Sequence, residues 1–204
     1  VETVIGGSGS DNITFATAVT SGTVDLAAGS DRITLGDFAN TLSAANVESI
    51  VGGTSDDIVT LTTQATGGAV NLGAGDDTLV LGDFNNTLTV SNVETLTGGS
   101  SNDVVTLGAQ STNATIDLGA GTDRLTLGNF ANTVTLSNVE SVVGGSSADT
   151  VVLATAISGG NINLGSGNDT LTLGDFANTL TISSVETLNG GTSDDVVTLG
   201  SAIT

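Results

Sequence analysis

Nine aspartates close short turns rich in Gly, Ser and Asn: Asp11, Asp31, Asp57, Asp77, Asp103, Asp123, Asp149, Asp169 and Asp195. Each stands two residues before an apolar strand position, as Asp57 stands before Val59 and Leu61. It shares the parity of those residues, so its side chain should turn inward beneath the loop. Carboxylates next to glycine turns are the donor set of a hard cation. Calcium takes six to eight oxygen ligands from carboxylates and backbone carbonyls. Glycine tolerates positive φ and lets a turn aim several carbonyls at one place. Two carboxylates about 4.8 Å apart repel by roughly 1 kcal/mol in water, and by about 3–4 kcal/mol at an effective dielectric of 20. Arg32 and Arg124 are the chain's two cationic side chains, and both fall on outward strand positions. Two arrangements relieve such a column: a divalent cation between turns, or carboxylates that accept backbone N–H groups of their own turns.

The elements that position these turns follow from an internal repeat. Val-Glu pairs begin at 1, 47, 93, 139 and 185, always 46 residues apart. Phe38, Phe84, Phe130 and Phe176 keep that step, as do Asn40, Asn86, Asn132 and Asn178. Short segments alternate apolar and polar residues, for example Val105-Thr106-Leu107 and Leu125-Thr126-Leu127. Alternation is the signature of half-buried strands, and the clusters between them are turn formers. The reading is all-β: a parallel β-solenoid running continuously over residues 1–204, in four and a half repeats. The acidic turns are spaced 20 and 26 residues in alternation. That spacing suggests about nine coils of some 23 residues, with all nine turns stacked on one edge. A coil of 18 residues is the competing geometry, and it would not keep the acidic turns together.

Composition narrows the function. The 204-residue chain carries 2 basic and 22 acidic residues, a net charge of −20. Such a balance excludes a nucleic-acid partner, which needs a basic face, and an anionic membrane surface would repel it. No apolar run reaches the roughly 18–20 residues of a membrane helix, so membrane insertion is not expected. The chain has no Cys, His, Met, Pro, Trp or Tyr. Disulfides, thiolate metal sites, histidine bases and a P-loop are all absent, and every carboxylate belongs to a row. The chain is therefore read as no enzyme.

The first turn, Gly6-Gly7-Ser8-Gly9-Ser10-Asp11-Asn12-Ile13-Thr14, resembles the G-G-x-G-x-D-x-U-x nonapeptide of the RTX, or haemolysin-type calcium-binding, β-roll family. One later series puts Ser55, Ser101, Ser147 and Ser193 where the second-half Gly belongs. The other keeps that Gly and opens with Leu, as in Leu72-Gly73-Ala74-Gly75-Asp76-Asp77; in the copy beginning at Leu26, Ala27 replaces a Gly. The resemblance implies Ca2+ between stacked turns, held by the nine aspartates and loop carbonyls. Ser disfavours the left-handed conformation, so weaker occupancy is expected in the Ser-containing turns. The resemblance also implies secretion or display at a bacterial cell surface.

Other rows invite simpler readings. The Glu row (Glu2, Glu48, Glu94, Glu140, Glu186) and the row Asp25, Asn71, Asp117, Asn163 suggest solvated faces. The Phe row suggests a corner stack, and the Asn40 row should satisfy turn backbone groups. The expected role is structural: an extracellular stalk, adhesin shaft, surface-layer or fibre element stiffened by calcium. Both ends fall inside the repeat, which suggests a longer chain or end-to-end self-association into a fibre. The alternative is a ligand-binding face for ice or glycan, drawn from the outward Thr rows.

Overall fold

The computed structural model describes residues 3–200. Val1 and Glu2, which open two of the rows above, lie outside the described residues. Within them the architecture is the expected parallel β-solenoid, of about ten turns. Twenty-two strands of three to eight residues form two parallel sheets of eleven strands each. Alternate strands along the chain belong to alternate sheets. The first sheet runs from Thr3–Ile5 to Thr187–Asn189, and the second from Asn12–Thr14 to Val196–Leu199. Eleven strands at about 4.8 Å make a rod segment roughly 50 Å long.

The coil is shorter than the acidic spacing suggests. Registered partners in the sheets are 17 to 21 residues apart, as in Thr41 with Ile58, Ile58 with Thr78, and Thr112 with Thr133. Forty-six residues therefore hold five strands, which is two and a half coils. The odd number matters, because each repeat starts on the sheet opposite to the last. The acidic turns consequently do not share one edge. Asp11, Asp31, Asp103, Asp123 and Asp195 precede strands of the second sheet, whereas Asp57, Asp77, Asp149 and Asp169 precede strands of the first. The 18-residue geometry, with the split edges it entails, is the one the chain adopts.

Like stacks on like inside the coils. Leu42, Val59, Leu79, Leu96, Ile116, Leu136 and Leu153 are consecutive partners in the first sheet. Leu88, Val105, Leu125, Val142, Ile162 and Ile182 do the same in the second. All of these residues are buried. Each fully buried aliphatic side chain stabilises by about 1.5–3 kcal/mol. With at most two or three inward residues per strand, the core is a narrow aliphatic seam between two sheets.

The Phe row is not a stack. Phe38, Phe84, Phe130 and Phe176 are 38–43% exposed. The 46-residue step puts successive rings on opposite edges, so rings on one edge are five coils apart. Each instead lies over a glycine of its own turn, Gly36, Gly82, Gly128 or Gly174.

Candidate metal sites on two acidic edges

Each half-coil begins its strand from one edge residue, and these residues form two columns. The column leading into the first sheet reads Val19, Asn40, Asp57, Asp77, Glu94, Ser111, Asn132, Asp149, Asp169, Glu186. The column leading into the second reads Asp11, Asp31, Glu48, Ala65, Asn86, Asp103, Asp123, Glu140, Ile157, Asn178, Asp195. Both follow one grammar of five coils: Asn, Asp, Asp, Glu, then a residue without a carboxyl group. The Asn and Glu rows, which look separate in the sequence, belong to the same columns as the aspartates.

A ladder of side-chain oxygens holds each column. The backbone N–H of one edge residue donates to the side-chain oxygen of the next coil. On one edge this runs Val19 to Asn40 Oδ1, Asn40 to Asp57 Oδ1, Asp57 to Asp77 Oδ1 and Asp77 to Glu94 Oε2, at 2.7–3.0 Å. The pattern returns from Ser111 through Asn132, Asp149 and Asp169 to Glu186. The other edge repeats it from Ala65 through Asn86, Asp103 and Asp123 to Glu140. The aspartates cap backbone amides, chiefly those of the preceding coil; Asp57, Asp103 and Asp149 also feel a weaker pull from the Gly53, Gly99 and Gly145 N–H groups of their own turns. Asp11, whose Oδ2 accepts from Gly7 N–H, also caps its own turn. The Glu row likewise caps the coil before it.

One carboxylate oxygen is spoken for in this way; the other is not. Oδ2 of Asp31, Asp57, Asp77, Asp103, Asp123, Asp149 and Asp169 is buried with no hydrogen-bond partner. These seven residues are 0–1% exposed. Buried polar groups are almost always partnered, so seven orphans in register call for a ligand. Burial pushes the Asp77 and Asp123 carboxyls up to about 6, with backbone N–H bonds opposing and the neighbouring carboxylates adding to the rise. Asp57, Asp103, Asp149 and Asp169 are raised for the same first reason, desolvation.

The surroundings of the orphan oxygens fit calcium. A Cβ placed on Gly52 would collide with the Leu72 carbonyl of the next coil and sit 2.7 Å from Asp57 Oδ2. Gly98 stands in the same relation to Leu118 and Asp103 Oδ2. The missing side chain thus leaves a cradle where a carboxylate oxygen and a carbonyl oxygen of the next coil meet. Among the described residues no three acidic side chains converge. The acids come two at a time, so carbonyls must supply the remaining ligands, as calcium accepts. Aspartates stack directly on one another at 11/31, 57/77, 103/123 and 149/169; Asp195 follows Asn178 as Asp57, Asp103 and Asp149 follow their Asn, but no second Asp stacks on it among the described residues.

The serine turns differ from expectation. Ser55, Ser101 and Ser147 do not take positive φ. Their hydroxyls donate to the Asp37, Asp83 and Asn129 carbonyls of the preceding coil. The expected strain is therefore absent there. The left-handed residues belong to the other series: Gly73, Gly75, Gly119, Gly121, Gly165 and Gly167, with Ala27 holding φ 66° in the copy that lacks its Gly.

Asn closes each column segment without a cation. Asn86 Nδ2 donates to the Gly82 and Phe84 carbonyls and to Asp103 Oδ1, while its Oδ1 accepts from Ala65 N–H. Asn86→Ala removes all four bonds and strands a buried amide. At about 1–3 kcal/mol for a group left unsatisfied, chemical denaturation should show a loss of about 3 kcal/mol. A loss below 0.5 kcal/mol, about the scale of a plain surface substitution, would mean water replaces the amide.

Asp25 and Asp117 are not a simple solvated row either. Each is half-buried and accepts an amide of the next coil, from Asn46 and Asn138 respectively. The Thr rows also divide. Thr87–Ser91 and Thr179–Ser183 lie in the second sheet, and Thr133–Ser137 in the first.

The family model of the RTX calcium-binding nonapeptide repeat matches the chain in four copies, over residues 70–89, 91–111 and 161–181. No curated protein matches it. Among solved structures, it is similar to a hyperactive, Ca2+-dependent, β-helical antifreeze protein from an Antarctic bacterium. That match is 22% identical with a TM-score of 0.31, and covers 95% of this chain. The chain spans 65% of that protein's length.

Proposed function

We propose, from the premise that this chain carries RTX calcium-binding repeats, that it is a non-catalytic extracellular calcium-stiffened shaft. In this reading it is one continuous segment of a stalk, adhesin, surface layer or fibre. The single observation that carries the reading is the register of seven buried, unpartnered Asp Oδ2 atoms along both edges. Asp31, Asp57, Asp77, Asp103, Asp123, Asp149 and Asp169, with Asp11 as the partner of Asp31, would hold Ca2+ with loop carbonyls. Asp195 follows Asn178 in the position that Asp57, Asp103 and Asp149 hold as first members of their pairs, and would need an acidic turn in a following coil. Bound calcium supplies the positive charge that a −20 chain lacks and ties each acidic turn to the next. Because the pairs alternate edges, the rod is pinned on both sides, which resists bending in either direction. Millimolar extracellular calcium suits sites of the modest affinity that surface modules use.

A second reading is favoured by one observation. Thr78, Thr95, Thr115 and Thr135 are consecutive register partners on the outer face of the first sheet. Such a column at strand spacing is a regular hydroxyl and methyl surface of the kind that orders water or ice. Ile58 and Val152 interrupt it on either side.

Small-angle scattering with and without calcium, alongside thermal hysteresis, tests both. A shaft is expected to scatter as a thin rod in calcium, to expand in EDTA, and to show no hysteresis. An unchanged rod in EDTA would sink the calcium-stiffened shaft, and calcium-dependent hysteresis would establish the second reading.

A further inference from the structure

We propose that each acidic pair is followed by a second cation site, closed by the glutamate of the next coil. The four sites are Asp31/Glu48, Asp77/Glu94, Asp123/Glu140 and Asp169/Glu186. The ligand is a hard divalent cation, Ca2+. This rests on the reading that the paired Asp turns bind calcium.

The geometry at all four is the same. The Glu carboxylate occupies the edge position one coil beyond the second Asp, and its Oε2 accepts that Asp's backbone N–H at 2.7–2.9 Å. The second Asp has already given Oδ1 to the coil before it. Its Oδ2 is buried and unpartnered at all four sites. The field of Glu94 adds to the raised protonation of Asp77, and that of Glu140 to Asp123, so the carboxylates are close enough to feel each other.

The same column shows how a junction is closed when no cation is needed. Between Asn and the first Asp, the Asn amide donates to Asp Oδ1 at 2.8–3.0 Å. Between the second Asp and Glu there is no such donor, only two carboxylates and one backbone amide. An amide and a cation solve the same electrostatic problem, and at the pairs 57/77, 103/123 and 149/169 the amide stands at the first Asp only. Glu48 and Glu186 are exposed and Glu94 and Glu140 half-buried, so the site has an open wall for a cation to enter.

The test counts bound Ca2+ by equilibrium dialysis on the intact chain and on the variant E48Q/E94Q/E140Q/E186Q. Gln keeps an oxygen to accept the Asp amide but loses the charge. Eight ions are expected in the unmodified chain, four at Asp–Asp junctions and four at Asp–Glu junctions, falling to four in the variant. Four in both leaves the Asp–Asp reading standing and overturns this one. Eight in both shows that Glu only caps, and also overturns it. No binding to the unmodified chain overturns both readings together. Should the fourfold variant fail to fold, E94Q alone is expected to bind seven, and eight there counts against the proposal.

Discussion

Calcium added to EDTA-stripped protein at neutral pH is expected to produce a cooperative gain of β signal in far-ultraviolet circular dichroism. The size of the effect follows from the seven orphan Oδ2 atoms. Leaving a buried polar group unsatisfied costs about 1–3 kcal/mol, and more when it is charged. Seven such groups amount to about 10 kcal/mol or more by that measure, which is comparable with the whole stability of an ordinary domain, about 5–15 kcal/mol. Without a cation at pH 7 the coils should loosen at their edges, where each acidic pair repels itself. Loosening spreads because a solenoid coil contacts only its neighbours. Binding to the folded state alone restores stability in proportion to the logarithm of free calcium. A spectrum already fully β in EDTA would sink the prediction. It would mean that the Oδ1 ladder and the aliphatic seam are enough.

The second large effect is on pH dependence, and its sign is unusual. Burial raises the Asp77 and Asp123 carboxyls from 3.8 to about 6, and raises four other column aspartates in the same direction. The folded metal-free chain thus holds these protons more tightly than the unfolded chain. Its stability is fully present below the unfolded value near 3.8 and is lost as pH rises through about 6. In EDTA, the melting temperature is therefore expected to be higher at pH 5 than at pH 7.5. pH 5 keeps the protein clear of its isoelectric point near 4.1, where it would precipitate. In saturating calcium the order should reverse, because protons compete with the metal for the same oxygens. A metal-free melting temperature that rises from pH 5 to 7.5 would show that the carboxylates are ionised and satisfied without metal.

Both expectations depend on residues whose inward direction is legible in the sequence. Parity alone turns Asp57 toward the side of Val59 and Leu61, and the structure buries all three. The edge assignment is carried by less conspicuous residues. The acidic turns are the most conspicuous punctuation, and their 20 and 26 steps suggest one per coil. The shorter period was present in quieter residues. Asp31, Asn40, Glu48, Asp57, Ala65 and Asp77 succeed one another at 9, 8, 9, 8 and 12 residues, and each opens a strand. Asn, Glu and Ala do not look like one column, because their chemistry differs. Their shared position shows only once the strands are paired.

What the sequence determined by itself is the class of fold and the kind of chemistry. A 46-residue period, alternating apolar residues and glycine turns admit stacked parallel coils, and inward aspartates under those turns ask for a hard cation. Only the tertiary structure decided the coil length, the split of acidic turns between two edges, and the joining of Asn, Asp and Glu into single columns. The physical reason is that strand alternation is a local rule, readable within a few residues. Register is set by hydrogen bonds between residues 17 to 21 apart, and an odd number of strands per repeat inverts the face at every period.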